Sequence, residues 1–555
     1  MREYVQIDLE RRGDREPTLE EAFDRVERGS LSRRRFLALG GAAGAAAALT
    51  ACVPRRAETT PLPEAAAVKP HGARVVVIGA GLAGTTAAYR LARAGVHVRC
   101  FEARDRIGGR CWTARGFDAE QTAEHGGEFI DTRHVHLLGL AKELGLTMED
   151  LWKGEGTGPV SPSWVRGDYL PRGLVKETMR RISKAVTAMG HDIGVFSGAR
   201  GKATDDAISY GTATRKAKQL DRLNMHEWLE AEVPGIDPRV IDYLNVVMAG
   251  WYGLDMPVLS ALIWVDFFLI PAPGGDERWH VEGGNDQIPL RAAAALPDGV
   301  LRTEAPLETL VRRANGTYEL RFGGNASSKP IIADFVILAT PFTTLQDVDL
   351  SGAGLPERRQ RAIDTLGMGT DVKLLLQYRK RPDRFTVQGG RWSGSLNHAD
   401  PNYDTWVSTS TQAGASSIIT VYAGGSGSAT FADPDVHDWA PEDLTSTIVG
   451  QIDQVVPGTE AQFGGKAWLD YWTGDPWTRG SYAAFIPGQM TAYWKYLGSR
   501  ERGIHFAGEH TSTHSQGYLN GGVESGQRAA IEVMKRLGIP IPRGIAKLPY
   551  STVRR

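Results

Sequence analysis

Near residue 75 the chain writes a strand, a glycine turn and a helix without a gap, and nothing else in it restricts the fold as much. Arg74-Val75-Val76-Val77-Ile78 is a short β-branched run suited to a buried parallel strand, and Gly79-Ala80-Gly81-Leu82-Ala83-Gly84 follows at once. The pattern predicts a helix from about Leu82 to Ala94 that stops at Gly95, then a second strand, Val96 to Phe101, ending on the acidic Glu102. Each glycine has a physical task. Gly79 makes the tight turn, Gly81 admits a pyrophosphate close to the backbone, and Gly84 lets helix and strand pack together, which leaves the diphosphate at a helix N-terminus. Glu102, about 20 residues on, is placed to accept hydrogen bonds from an adenosine ribose. A glycine pattern alone is a weak signal in a chain with 65 glycines. The strand before it, the helix after it and the acid beyond make it a dinucleotide-binding unit on a Rossmann-like sheet.

Arg104-Asp105-Arg106-Ile107-Gly108-Gly109-Arg110 continues from Glu102. A second glycine pair beside Arg106 and Arg110 supplies close backbone approach and positive charge to a diphosphate whose adenine end is already held; a solvated basic loop is the competing reading. Further segments stand out downstream: His125-Gly126-Gly127-Glu128-Phe129-Ile130, Val281-Glu282-Gly283-Gly284-Asn285, Phe335 to Pro341, and Trp472 with Gly480-Ser481-Tyr482. Near the end come Phe506-Ala507-Gly508-Glu509-His510-Thr511 and Gly517-Tyr518-Leu519-Asn520-Gly521-Gly522. Together, over residues 73 to 535, these segments resemble the flavin amine oxidase superfamily, which includes monoamine, polyamine and L-amino acid oxidases.

The resemblance implies FAD as cofactor, held non-covalently, because Ser481 stands where some monoamine oxidases carry the cysteine bonded to the flavin. It implies cofactor contacts at Gly79, Gly81, Gly84, Glu102, Arg104, Gly108, Gly109, Arg110, Gly126, Gly127, Glu128, Phe129, Trp472, Gly508, Glu509, Gly517, Tyr518 and Leu519. The Glu509 carboxylate would hold the flavin ribityl chain, and a helix starting near Gly522 would aim its N-terminus at the ring or pyrophosphate. The implied fold is α/β: a Rossmann-like FAD-binding domain (residues 73–140, 279–345 and 466–537) interleaved with an α+β substrate domain, whose mixed sheet is flanked by helices. The substrate domain takes residues 141–278, where apolar residues recur at helical spacing with a start signal at Asn224-Met225-His226-Glu227, and residues 346–465. Strand-like alternation marks Val372, Leu374, Leu376 and Tyr378, the Gly/Ser-rich stretch from Ala423 to Ser428 reads as a loop, and residues 538–555 are a tail.

Three residues are the candidates for chemistry. Lys373 shares a strand face with Leu375, an awkward place for a solvated lysine. In the family a lysine here contacts a water near the flavin N5 and assists the reaction with oxygen; a snorkelling edge lysine is the alternative. Tyr482 and Tyr518 match the two positions that form an aromatic cage in monoamine oxidases, where ring faces flank an amine, against the reading of ordinary core tyrosines. The expected reaction is oxidative deamination of a small amine or L-amino acid, with hydride passing to flavin and O2 becoming H2O2. A carbon–carbon dehydrogenase of the same fold, or a flavin-bearing protein without turnover, is the alternative. Arg133 lies within one position of a carboxylate-binding arginine of L-amino acid oxidases. Glu128 can be read as attracting a second ammonium, or as a capping or solvated residue. His510 and His514 lack a matching ligand cluster, so no metal is expected.

The N-terminus reads as an address. Ser32-Arg33-Arg34-Arg35-Phe36-Leu37 resembles a twin-arginine export signal, and an apolar run too short to span a bilayer ends near Leu49. Leu49-Thr50-Ala51-Cys52 resembles a bacterial lipobox, with an ordinary cleavage site as the alternative. Residues 1–52 are thus expected to be an export signal read by the Tat machinery, and residues 53–72 a flexible linker. The expected place is the periplasm or cell envelope, touching membrane only through a lipid on Cys52. Net charge −1 and pI near 6.9 give no field that would draw the chain onto nucleic acid. Of three cysteines, Cys100 and Cys111 fall inside a motif that needs no disulfide.

Overall fold

A computed structural model describes residues 71–154, 160–197, 203–270, 275–325, 329–542 and 545. The stretch expected to be an export leader, all but the last two residues of the expected linker, and residues 546–555 lie outside the described residues.

The valine run is the centre of a five-stranded parallel sheet. Its order is Ile504–Phe506, Phe335–Leu338, His71–Ile78, Val96–Phe101 and Leu301–Arg302. Val75, Val76 and Val77 are all buried, as a β-branched strand with neighbours on both edges and cover on both faces requires. Helices Leu82–Arg93 and Leu519–Arg536 pack together here, and Ala83, Ala87 and Leu91 share a core with Val75, Val77, Ala529 and Val533. The approach is tight enough that a Cβ on Gly84 would stand 1.8 Å from the Gly79 carbonyl oxygen, and one on Gly526 2.2 Å from that of Ala83. The first helix ends one residue earlier than expected, with Ala94 as its cap and Gly95 at φ 73°. The last helix begins at Leu519, not near Gly522.

An eight-stranded mixed sheet forms the second layer. Its order is His437–Trp439, Phe463–Tyr471, Val372–Tyr378, Ser417–Ala423, Asn402–Val407, Leu396–Ala399, Ser163–Val165 and Asp168–Tyr169, antiparallel except where Leu396–Ala399 meets Ser163–Val165. Strand alternation sorts its two faces. Leu374, Leu376, Ile419 and Val421 pack under helix Glu442–Val455 through Ile448 and Ile452. On the opposite face the register lines up His437, Asp470, Lys373, Tyr422 and Asp404 across five adjacent strands. One row of a largely apolar sheet is therefore polar. The expected loop after Ala423 is a short 3-10 helix, Gly425–Phe431, held by the Ser428 hydroxyl donating to the Gly425 carbonyl at 2.7 Å.

Helices Arg172–Ile193, Arg215–Leu220, Met225–Glu232, Pro238–Tyr252 and Ile263–Phe268 flank this sheet. The capping box read from the sequence is present. Asn224 Oδ1 accepts the Glu227 N–H at 2.8 Å and Glu227 Oε2 accepts that of Asn224 at 2.9 Å, which directs Trp228 and Leu229 into the core. The architecture is mixed α/β: a parallel sheet and a mixed sheet flanked by helices.

Candidate active site

Two cavities share a wall. One of about 220 Å³ lies beside the glycine turn, and one of about 630 Å³ lies against the polar row of the eight-stranded sheet. Arg110, Gly127, Ser481, Tyr482, Tyr518 and Leu519 line both, so a long ligand could pass from one into the other.

The smaller cavity has the shape and donors that a dinucleotide needs. Gly81 and Gly108 bridge like paired strands, and a Cβ on Gly81 would project into the 3.9 Å gap before Gly108 and Gly109. The helices that start after Gly81 and after Tyr518 have no side-chain N-cap, leaving first-turn amides available to an anion. Glu102 accepts the Ala80 N–H at 2.7 Å and the Arg104 N–H at 3.0 Å, with lone pairs remaining for ribose hydroxyls. Glu509 accepts the N–H of Gly517 at 2.8 Å and of Ala483 at 3.2 Å, and pairs with Arg110 at 3.1 Å. The residues present fit FAD.

Two arginines differ from expectation. Arg104 lines this cavity, but its Nη2 is held by both Asp475 carboxylate oxygens at 2.6 and 2.7 Å, so its charge is already matched. Arg106 is not in the wall. It stacks 4.0 Å over the Trp112 ring and donates to the Gly109 carbonyl at 3.0 Å, bracing the loop.

Lys373 is buried in the larger cavity's wall. Its Nζ donates to Glu128 Oε2 at 2.9 Å and to the Glu124 carbonyl at 3.0 Å, and lies 5.3 Å from the Trp406 ring centroid. Burial pushes the Glu128 carboxyl up, but the Lys373 ammonium outweighs it and leaves the group below its ordinary value. Glu128 is thus neither a solvated residue nor a cap, and its carboxylate turns to lysine.

Tyr482 and Tyr518 lie in the shared wall, brought together because Gly517 packs against the Tyr482 ring. The Tyr482 hydroxyl accepts from Tyr422 at 3.2 Å and donates to the Gly250 carbonyl at 3.3 Å, while the Tyr518 ring meets His134 edge-on at 5.2 Å. Trp472 donates its indole N–H to the His125 carbonyl at 3.0 Å, and Phe129 packs on Trp406. A Cβ on Gly126 would strike the Arg110 carbonyl at 2.0 Å, and Gly508, at φ 122°, donates its N–H to Ser525. Arg133 is exposed and does not line either cavity, so the feature that suggested an amino acid carboxylate is not at the site. His510 packs edge-on against Phe342 while His514 lines the larger cavity. Cys100 and Cys111 are buried thiols.

The sequence reading missed one linkage and one residue. The first is a buried chain in which His125 pairs with Asp470 at 2.9 Å, Asp470 with His437 at 2.8 Å, and His437 with Asp475 at 2.8 Å, which in turn holds Arg104. It links the larger cavity, where His125 stands, to the smaller one. Burial would raise Asp475, yet His437 and Arg104 bring it down to about 2. The second is Asp371, two residues before Lys373 and 1% exposed, whose Oδ2 accepts from Ser481 at 2.6 Å. Burial pushes its carboxyl up to about 7, with the Ser481, Tyr482 and Tyr422 hydroxyls holding it back. Only alternation from Lys373 could have flagged it.

Known proteins place this geometry. The sequence profile of the family described as flavin containing amine oxidoreductase matches residues 82–534. The chain is 25% identical over 480 residues to human amine oxidase [flavin-containing] B, covering 84% of this chain and 86% of that protein. It is 24% identical to pseudooxynicotine dehydrogenase of a Pseudomonas species, covering 92% and 97%. Among solved structures, cyclohexylamine oxidase from Brevibacterium oxydans IH-35A superposes with a TM-score of 0.70 at 22% identity, covering 84% of this chain and 99% of that one, and so shares its fold. With most of the chain inside the matched profile and an FAD-shaped cradle at its centre, this protein belongs to the flavin containing amine oxidoreductase family.

Proposed function

We propose that the chain is an FAD-dependent oxidase that deaminates a small amine with an apolar body. In the full reaction R–CH2–NH2, O2 and water give R–CHO, NH3 and H2O2. The flavin, when bound, supplies the hydride acceptor; the chain's own residues orient the amine and hold the charges around it. The observation that carries the reading is the shared wall. There Tyr482 and Tyr518, from segments 36 residues apart, line both the dinucleotide cavity and a cavity rich in aromatic side chains, including Trp251, Phe267, Trp406 and Trp472. Such rings favour an ammonium or amine nitrogen and an apolar body.

Charge supports an amine over an amino acid. Of the cations in the larger cavity's wall, Lys373 is committed to Glu128, Arg110 to Glu509 and the Ser481 carbonyl, and Arg381 to the carbonyls of Ser410, Gln412 and Gly414, while Arg391 is exposed. Asp371 and Asp266 are buried carboxyls in the same wall. A substrate carboxylate would meet them at a cost; an ammonium would not.

The test is H2O2 released by FAD-loaded protein from a panel of alkyl amines, aralkyl amines, diamines and L-amino acids. Turnover of the amines with little of the amino acids is expected; the reverse order would sink the reading. Because Ser481 offers no thiol, acid should release free FAD, and flavin retained by the denatured chain would overturn non-covalent binding. Export rests on the leader sequence alone. Arg33 and Arg34 both changed to Lys should keep flavin-loaded enzyme in the cytoplasm, and loss of radioactive fatty-acid labelling in Cys52→Ala would report lipidation.

A further inference from the structure

Asp371 sits in a pocket made by absent side chains. A Cβ on Gly253 would lie 2.5 Å from Asp371 Oδ2, one on Gly369 3.1 Å from the same atom, and one on Gly424 2.5 Å from Oδ1. Three backbone segments thus close around one carboxyl. Its Oδ2 accepts from the Ser481 hydroxyl, while Oδ1 is fully buried and has no hydrogen-bond partner. A buried carboxyl left half-satisfied is costly as a structural element, so a structural role explains it poorly.

Its surroundings are hydroxyls. From the neighbouring strand comes Tyr422, from the segment facing it Ser481 and Tyr482, and the two tyrosine hydroxyls bond each other at 3.2 Å. On its own strand Lys373 shares its face but is neutralised by Glu128. Farther out, Asp404 neighbours Tyr422 in the sheet, and Asp255 is engaged by Asn245 at 2.7 Å and the Ser426 N–H at 2.8 Å. Among the described residues no arginine or lysine pairs with Asp371; burial raises its carboxyl and those hydroxyls hold it back.

Amines reach a protein at neutral pH as ammonium ions, and an ammonium has no lone pair to assist hydride loss from its α-carbon. We propose that Asp371 is the proton acceptor of the amine site: it takes, through the Tyr482 hydroxyl, the proton that the substrate ammonium must lose before oxidation. The ammonium N–H bond breaks as its proton passes to Tyr482 Oη, and the phenol turns its own proton from the Gly250 carbonyl to the Asp371 carboxylate, whose pKa this hydroxyl already lowers. The products are a neutral amine, an unchanged phenol and a carboxylic acid; charge is conserved and no electrons move. Tyr482 touches substrate, so Asp371 acts as a positioning and proton-holding residue behind it. This inference rests on the amine reading above.

The experiment uses FAD-loaded enzyme and stopped-flow reduction by a saturating alkyl amine between pH 6 and 10. In Asp371→Asn, reduction at pH 7 should fall on the order of 100-fold, the usual scale of a lost proton acceptor, and recover as pH rises toward the amine's own ionisation. Tyr482→Phe keeps the ring, removes the hydroxyl, and should show the same pH-shaped loss. Difference infrared spectra with tert-butylamine, which has no α-hydrogen to lose, should show a buried carboxylic acid C=O band growing on binding in the wild type and absent from Asp371→Asn. A loss equal at every pH, or wild-type spectra without that band, would overturn the proposal and return Asp371 to packing. Failure of every amine to reduce the wild type at any pH would overturn the amine reading itself.

Discussion

The two cavities are built by opposite means. The smaller is anchored on one contiguous stretch: turn, helix start and acid all fall between Gly79 and Gly109, glycines set its shape where side chains would collide, and Glu509 and the helix start after Tyr518 close it from the far end of the chain. The larger is built by register. Lys373 and Tyr422 in its wall, with Asp470 and Asp404 beside them in the same row, come together only because four strands from distant parts of the chain pair in one alignment, and a slip of one residue would turn all of them onto the helix-covered face. The glycine-turn end of the cofactor cavity is therefore local and the substrate wall is not, and the two should respond differently to substitution.

The sharpest break lies in the register-built wall. Lys373→Met removes one partner of a buried ion pair and strands the Glu128 carboxylate, which should cost about 3–5 kcal/mol of stability at pH 7. Glu128 sits below its ordinary value in the folded protein, so the pair's contribution is present above the unfolded carboxyl's range and is lost as pH falls through the lower folded value. The gap in thermal stability between wild type and variant should accordingly narrow in acid. Lys373→Met with Glu128→Gln should regain much of the stability. If Lys373 also organises the water that assists oxygen, reoxidation of reduced flavin should stay slow in that double variant. A double variant that reoxidises at the wild-type rate would make the lysine purely structural.

The local cradle should fail in another way. Gly84→Ala places a methyl 1.8 Å from the Gly79 carbonyl oxygen, where only backbone can yield, so helix and strand must part. About 1–3 kcal/mol of stability should be lost, together with retained FAD after gel filtration. Full retention of FAD at wild-type thermal stability would refute the close-packing role of this glycine.

What was legible follows the same division. The first helix forms within one residue of where the sequence puts it, and Glu102 and the first glycine pairs line one cavity, because each is a requirement on neighbouring residues. The commitments of Arg104 to Asp475 and of Glu128 to Lys373 were not, because the partners lie 371 and 245 positions away. Asp371 was invisible for a further reason: its environment is three glycines and three hydroxyls, none of which advertises a carboxylate's partner. The near-match at Arg133 left its role open, because an alignment offset says nothing about which way a loop faces, and it lies outside both cavities.

Tyr518 tests the wall that the two cavities share. Truncation to alanine removes a ring face from the amine site, which should weaken flavin reduction by amines by about 2- to 30-fold, the scale of 0.5–2 kcal/mol. Tyr518→Phe should be mild, because the face survives. The FAD spectrum should persist in both. Loss of FAD in Tyr518→Ala would assign the ring to the cofactor cradle, and an unchanged reduction rate would assign it to packing against His134.

The smallest effect should come from a local motif placed inside the register-built half. The Asn224 side chain and Glu227 satisfy each other's backbone amides at the start of helix Met225–Glu232, and neither residue lines a cavity. Asn224→Ala leaves the Glu227 N–H without its acceptor and should cost about 1 kcal/mol. The helix buries Met225, Trp228 and Leu229, so packing should hold it in place despite the lost cap. Thermal denaturation should therefore shift down by a few degrees, while amine reduction and FAD content stay at wild-type levels. If Asn224→Ala instead altered the pH profile of amine reduction, the substrate wall would be coupled to a helix start with which it shares no residue. The division between locally written and register-built parts would then fail where it is drawn most cleanly.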